Sequence, residues 1–144
     1  MTVGERDRLG IADLVARYAL YVDQRRFGDV AGLFTEDGRL CLPDPPGDLA
    51  PVRVLTGREE IRAALDVLIT FPITLHAIVG HVIEPDATGT VTCVANHVGE
   101  RGNLVWHLRY QDSYRRESGR WLFGRRSVDV QWIETRPVRG MRER

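Results

Sequence analysis

Thr90-Val91-Thr92-Cys93-Val94-Ala95-Asn96-His97-Val98-Gly99, followed shortly by Leu104-Val105-Trp106-His107-Leu108-Arg109-Tyr110-Gln111-Asp112-Ser113-Tyr114, decides the fold. Both runs alternate in side-chain character and are rich in β-branched and aromatic residues, the pattern of a strand with one buried face. Working outward, Ile73 to Glu84 is a long β-branched run before them, and Trp121 to Ile133 is a last strand after them. Pro85-Asp86-Ala87-Thr88-Gly89 and Ser118-Gly119 are turn sequences between these runs. Four long strands with short connections predict an antiparallel meander.

The other half of the chain reads as helices with short strands. Ile11, Leu14, Val15, Tyr18 and Val22 recur at three- and four-residue spacings and predict a helix over Leu9 to Asp23, with Asp7 as its cap. Phe27, Val30, Leu33 and Phe34 share a face in a second helix, with Arg25-Arg26 at the corner between the two. Glu36-Asp37-Gly38 reads as a turn, with a positive φ at Gly38. Arg39 to Leu42 and Val52 to Leu55 are short strand candidates, separated by a Pro-rich loop over Pro43 to Asp48. Thr56-Gly57-Arg58-Glu59 matches a capping box that opens a third helix, with Ile61, Leu65, Leu68 and Ile69 on one face and Pro72 ending it. Helices first and strands last predict an α+β fold. A length of 144 residues suits one domain spanning residues 1–144.

Composition excludes several classes of function. Twenty basic residues balance twenty acidic ones, which argues against nucleic-acid binding. All the basic residues are Arg, so no Lys exists to form a Schiff base or complete a phosphate-binding P-loop. Cys41 and Cys93 lie in separate apolar runs with no CxxC pattern and read as buried free thiols. The first eight residues carry no apolar signal core, and no apolar run approaches the ~20 residues of a membrane span, so a cytoplasmic protein is expected. None of Ser113, Ser118 and Ser127 lies in a G-x-S-x-G context. His76 and His81 are five apart, and an unbroken pleat points them to opposite faces, so no metal site is expected from them.

A few polar residues stand where the pattern calls for apolar ones. Asp23 ends the first helix, where a carboxylate opposes the dipole; it is either a solvated helix end or a group facing the sheet. His76 lies in the apolar run Thr74-Leu75-His76-Ala77-Ile78-Val79, as either a core histidine or a general base. His97 on the next strand would line the same wall. Of Arg125 and Arg126, alternation turns one inward, where an anion must meet it. Tyr110 and Asp112 share a strand face, and Asp112 is either a pocket acid or the partner of an Arg.

Taken in order, Ile11-Ala12-Asp13-Leu14-Val15-Ala16-Arg17-Tyr18-Ala19, Asp23, Leu33-Phe34-Thr35-Glu36-Asp37-Gly38, Leu55-Thr56-Gly57-Arg58-Glu59-Glu60-Ile61, Arg109-Tyr110-Gln111-Asp112 and Gly119-Arg120-Trp121-Leu122-Phe123 resemble the SnoaL-like branch of the nuclear transport factor two-like superfamily. The resemblance covers about residues 8 to 133. It implies a cone-shaped α+β barrel, in which a curved, mostly antiparallel sheet wraps three helices around one pocket. Within the superfamily, Asp23 and His76 resemble the Asp–His pair of scytalone dehydratases and hexachlorocyclohexane dehydrochlorinases. Arg126 falls at the last-strand Arg of the dehydrochlorinases, and Tyr18 stands where they carry a first-helix Lys.

The resemblance implies a cofactor-free lyase on a small hydrophobic or polyketide-like substrate. His76 would be the base and Asp23 its partner, with Tyr18, His97 or Arg126 meeting developing negative charge and Tyr110 and Asp112 contacting substrate. No metal or organic cofactor, nucleic acid or membrane is expected. Three alternatives remain: an isomerase like the ketosteroid isomerases, using Tyr18, Asp44 and a protonated Asp112; a polyketide cyclase; and a ligand-binding domain without catalysis. The resemblance further implies a homodimer or homotrimer through the outer sheet face, with Trp106 or Trp132 exposed there.

Overall fold

The computed structural model of the chain describes residues 2–143. In chain order it contains α1 (Glu5–Asp23), α2 (Phe27–Ala31), β1 (Phe34–Asp44), β2 (Asp48–Thr56), α3 (Arg58–Leu65), a 3-10 turn (Asp66–Thr70), β3 (Ile73–Ile83), β4 (Thr88–Gly99), β5 (Gly102–Glu117) and β6 (Arg120–Arg136). The strands form one six-stranded sheet in the order β2-β1-β6-β5-β4-β3. All neighbours are antiparallel except β1 and β6, which run parallel. The sheet is open rather than a closed barrel, with β2 and β3 at its edges.

The alternation that marked β4 is the alternation of its burial. Val91, Cys93 and Ala95 point into the core, while Thr90, Thr92 and Val94 are half-exposed on the other face. The predicted stripe of α1 is likewise its buried face: Ile11, Leu14, Val15, Tyr18 and Val22 pack inward. Each such side chain taken out of water contributes roughly 1.5–3 kcal/mol. Both cysteines are buried and free, and burial pushes the Cys93 thiol up to about 11, so it is no nucleophile near neutral pH. The outer face of the sheet keeps large apolar residues in solvent: Leu75, Val79, Val82 and Trp132 are all more than half exposed.

Several local readings are corrected. α1 starts at Glu5, and Asp7 lies inside its first turn, accepting a 3.1 Å hydrogen bond from the Gly4 amide. The second helix ends at Ala31, because Leu33 and Phe34 are claimed by β6: the Phe123 amide donates to the Leu33 carbonyl and Phe34 pairs with Phe123. Gly38 lies within β1 and not in a turn; a Cβ there would stand 2.9 Å from Phe34 Cβ, so the residue supplies space rather than a positive φ. Pro43 and Asp44 extend β1, and the supposed loop narrows to the turn before β2. Thr56 belongs to β2 and caps nothing, since α3 is entered through Gly57 at φ +88°.

Two one-residue bulges re-aim the side chains that matter most. In β3, Ile78 pairs with Cys93 but Gly80 pairs with Thr92, leaving Val79 extra. The bulge puts His76, opposite Ala95, and His81, opposite Val91, on the same inner face, against the unbroken-pleat expectation. In β6, Tyr114 pairs with Phe123 but Ser113 pairs with Arg125, leaving Gly124 extra. That shift sets Arg126 directly opposite Asp112 and turns it inward, while Arg125 faces out.

Candidate active site

α1 delivers Asp23 to the start of β3. At the last residue of the helix its carboxylate finds no helical amide, and β3 supplies the donors instead. Asp23 Oδ2 accepts from the His76 backbone amide at 2.9 Å. Oδ1 accepts from Thr74 Oγ1 at 3.0 Å and lies 2.7 Å from His76 Nδ1. The two side chains are only 13 % and 8 % exposed. An ionised carboxylate only accepts, so His76 donates from Nδ1, and in the neutral ring Nε2 is then the acceptor. The misfit with the helix dipole is thus resolved by three hydrogen bonds across to the sheet.

His76 borders a cavity of about 290 Å³ between the sheet and the helices. Val22, Leu65, Leu68, Phe71, Trp106 and Leu108 supply apolar walls. His97, on the neighbouring strand, meets His76 edge-on with ring centroids 6.0 Å apart. It is clasped between Phe71 and Trp106, each at 5.2 Å. Its Nδ1 lies 2.9 Å from the Leu104 carbonyl and must be the protonated nitrogen, so Nε2 is again an acceptor. Burial pulls His97 down to about 4, so it stays neutral around physiological pH.

Tyr18 and Tyr110 line the same cavity. Burial pushes Tyr18 up to about 12, and the neighbouring Arg126 guanidinium pulls partly the other way. Burial likewise raises Tyr110 well above the ordinary phenol value. Both phenols therefore stay protonated near neutral pH, and Tyr18 is available as a donor.

Asp112 and Arg126 are placed differently from the sequence reading. Neither lines the cavity. Arg126 is fully buried and donates from Nε and Nη2 to the two Asp112 oxygens at 2.9 and 3.0 Å. Its guanidinium carbon lies 4.3 Å from the Tyr18 ring centroid and 3.6 Å from that of Tyr110. Asp112 also accepts from Tyr114 at 2.9 Å, and Tyr114 in turn lies 2.9 Å from His81 Nε2. Of the two readings of Asp112, the partner of an Arg is the one found. The pair stands behind the tyrosines as a cross-strand bridge, outside the cavity lining.

The sequence missed several cavity residues. Of Trp106 and Trp132, the two candidates for the outer face, Trp132 is the exposed one and Trp106 is inside, because the alternation of β5 puts it with Leu104, Leu108 and Tyr110. Phe71 enters from the segment after α3, which has no periodic pattern to read. Arg53 on β2, also missed, stands at the cavity mouth beside Asp44 on β1, the carboxylate that the isomerase alternative names. Although His76 and His81 share a face, no group of three or more His, Cys, Asp or Glu residues among those described could hold a metal ion.

The architecture is an open sheet closed off by helices around an apolar cavity, with an Asp–His pair on the cavity wall. A family model described as the SnoaL-like domain matches residues 6–127, and the chain belongs to that family. No curated protein matches the chain by sequence. Among solved structures, a scytalone dehydratase-like protein of Novosphingobium aromaticivorans DSM 12444 is 22% identical, with 92% of this chain and 89% of that one covered at a TM-score of 0.79. LinA is 18% identical, over 96% of this chain and 94% of that one, at a TM-score of 0.77. ActVI-ORFA of Streptomyces coelicolor is 20% identical, over 86% and 97%, at a TM-score of 0.71. At these identities the likeness is one of fold. No helix among the described residues is long and apolar enough to cross a membrane.

Proposed function

We propose that this chain is a cofactor-independent lyase of the dehydratase type, acting on a small hydrophobic hydroxy-ketone through the Asp23–His76 pair. The observation that carries the reading is the 2.7 Å contact between Asp23 Oδ1 and His76 Nδ1 on the wall of an apolar cavity. His76 Nε2 takes the proton from the carbon α to the carbonyl, and Asp23 steadies the imidazolium that forms. Negative charge gathers on the carbonyl oxygen, where the protonated Tyr18 hydroxyl is the donor. The β-hydroxyl then leaves as water, taking back the proton from His76, so that protons balance over the cycle. His97 takes no part as an acid, since its one proton is held by Leu104, and it orients a substrate hydroxyl as an acceptor. A positioned base contributes about 10²–10⁴-fold, and exclusion of water by the aromatic walls and charge stabilisation account for the rest.

The isomerase reading finds little support. It needs Asp112 as a neutral acid in the cavity, and Asp112 is bound to Arg126 outside it. The chain is also proposed to pair with copies of itself through the outer sheet face that carries Leu75, Val79, Val82 and Trp132. The lyase reading is tested by incubating the protein in deuterium oxide with a panel of cyclic β-hydroxy-ketones and following the α-carbon by NMR. The reading expects α-deuteration or loss of water with the wild type and neither with His76→Gln. Turnover unaffected by that substitution would refute the role of the Asp23–His76 pair, and an inert wild type across the panel would favour the binding reading.

A further inference from the structure

We infer that Arg25 and Thr74 are positioning residues of the site, forming a relay that holds Asp23 in the orientation in which it fixes the His76 tautomer. α1 ends in a Schellman motif: the Arg25 amide donates to the Val22 carbonyl at 3.0 Å and the Arg26 amide to the Tyr21 carbonyl at 2.9 Å. Such a motif requires a left-handed residue after the cap, and glycine fills it at no steric cost. Here the position is Arg25, at φ +63°. A side chain is retained where the backbone favours having none, and that side chain crosses to β3.

Arg25 Nη1 donates to Thr74 Oγ1 at 3.0 Å, and Nη2 donates to the Phe71 carbonyl. A guanidinium cannot accept, so the Thr74 oxygen must be the acceptor. Its single proton is therefore directed to Asp23 Oδ1, 3.0 Å away. Thr74 is 1 % exposed, so no bulk water competes for that hydroxyl. The order of donation runs one way, from Arg25 through Thr74 to Asp23 and on to the Nδ1 proton of His76. Without the hydroxyl, Asp23 Oδ1 loses one of its donors, and the hold on the orientation of the carboxylate is weakened. The same guanidinium ties down Phe71, the ring against which His97 packs. One residue at the end of α1 thus steadies both imidazoles of the cavity.

The catalytic consequence rests on the lyase reading, but the relay itself is tested without substrate. The ring nitrogens of His76 are observed by ¹⁵N NMR at pH 8 in the wild type, Thr74→Val, Thr74→Ser and Arg25→Gly. The wild type should show a protonated Nδ1 and a bare Nε2. Thr74→Val, equal in shape but without the hydroxyl, should move both signals toward tautomer averaging, and Thr74→Ser should restore them. Arg25→Gly relaxes the backbone and should shift the signals the same way without lowering the melting temperature. Once a substrate is in hand, Thr74→Val should lower kcat about tenfold with KM little changed. Wild-type ring signals in Thr74→Val, or averaged signals that serine fails to restore, overturn the relay. If Thr74→Val does not fold, Arg25→Gly decides: averaged signals support the relay and wild-type signals refute it.

Discussion

Asp112→Asn tests whether Asp112 holds a buried charge or serves the cavity. Asparagine keeps the shape of the side chain and an oxygen for Tyr114, but removes the counter-charge of a fully buried guanidinium. The rings of Tyr18, Tyr110 and Phe123 lie within 4.4 Å of that guanidinium and soften the loss by roughly 0.5–2 kcal/mol. They do not replace an anion. Breaking a buried pair by removing one partner costs about 3–5 kcal/mol. For 144 residues, unfolding entropies of about 2.1 cal/mol/K per residue translate a loss near 4 kcal/mol into a melting temperature lower by about 13 °C. Thermal unfolding followed by circular dichroism reads the shift, and urea titration checks that the slope m is unchanged. Replacing both partners, Asp112→Leu with Arg126→Met, should cost less than Asp112→Asn alone, because no orphaned charge remains. A loss under about 1 kcal/mol for Asp112→Asn, together with lost ligand binding or activity, would refute the structural assignment and return Asp112 to the cavity as an acid.

Other outcomes follow from the same structure. Between the ordinary histidine value of 6.5 and about 4 the unfolded chain binds a proton at His97 that the folded chain refuses, so stability falls as pH drops through that window. The loss reaches about 3 kcal/mol at the acid end, and His97→Gln should flatten the corresponding part of a urea-midpoint-versus-pH curve. Trp132→Arg places a charge in the middle of the exposed apolar sheet face. It should convert a wild-type oligomer to monomer in sedimentation velocity without changing the circular dichroism spectrum; a monomeric wild type would dispose of the proposed pairing.

The strands were legible because a half-buried strand records its burial in every second residue, as Val91, Cys93 and Ala95 do against Thr90, Thr92 and Val94. Bulges leave no such record. Nothing in Ile78-Val79-Gly80 says that Val79 is the unpaired residue, and on that turns the face of His81. Counting back from the Ser118-Gly119 turn without the Gly124 bulge would set Asp112 against Arg125; the extra residue sets it against Arg126. The second helix was read too long because Leu33 and Phe34 continue the spacing of Phe27 and Val30, and only the pairing with Phe123 tells the two states apart. At the site, Asp23 was conspicuous as a carboxylate at the wrong end of a helix. Its link to His76 came from family resemblance, since a contact across 53 residues has no local signature. Arg25 was read as a corner residue, and its reach to Thr74 depends on a left-handed backbone that its identity does not announce.

The central claim is that Asp23 and His76 act as one unit, and a double-mutant cycle tests it most directly. kcat/KM would be measured for the wild type, Asp23→Asn, His76→Gln and the double variant on a hydroxy-ketone that the wild type turns over. The account predicts losses of about 10²–10⁴-fold for His76→Gln, with the double variant no slower than that single one. Losses that multiply, or an Asp23→Asn enzyme as fast as the wild type, would contradict it.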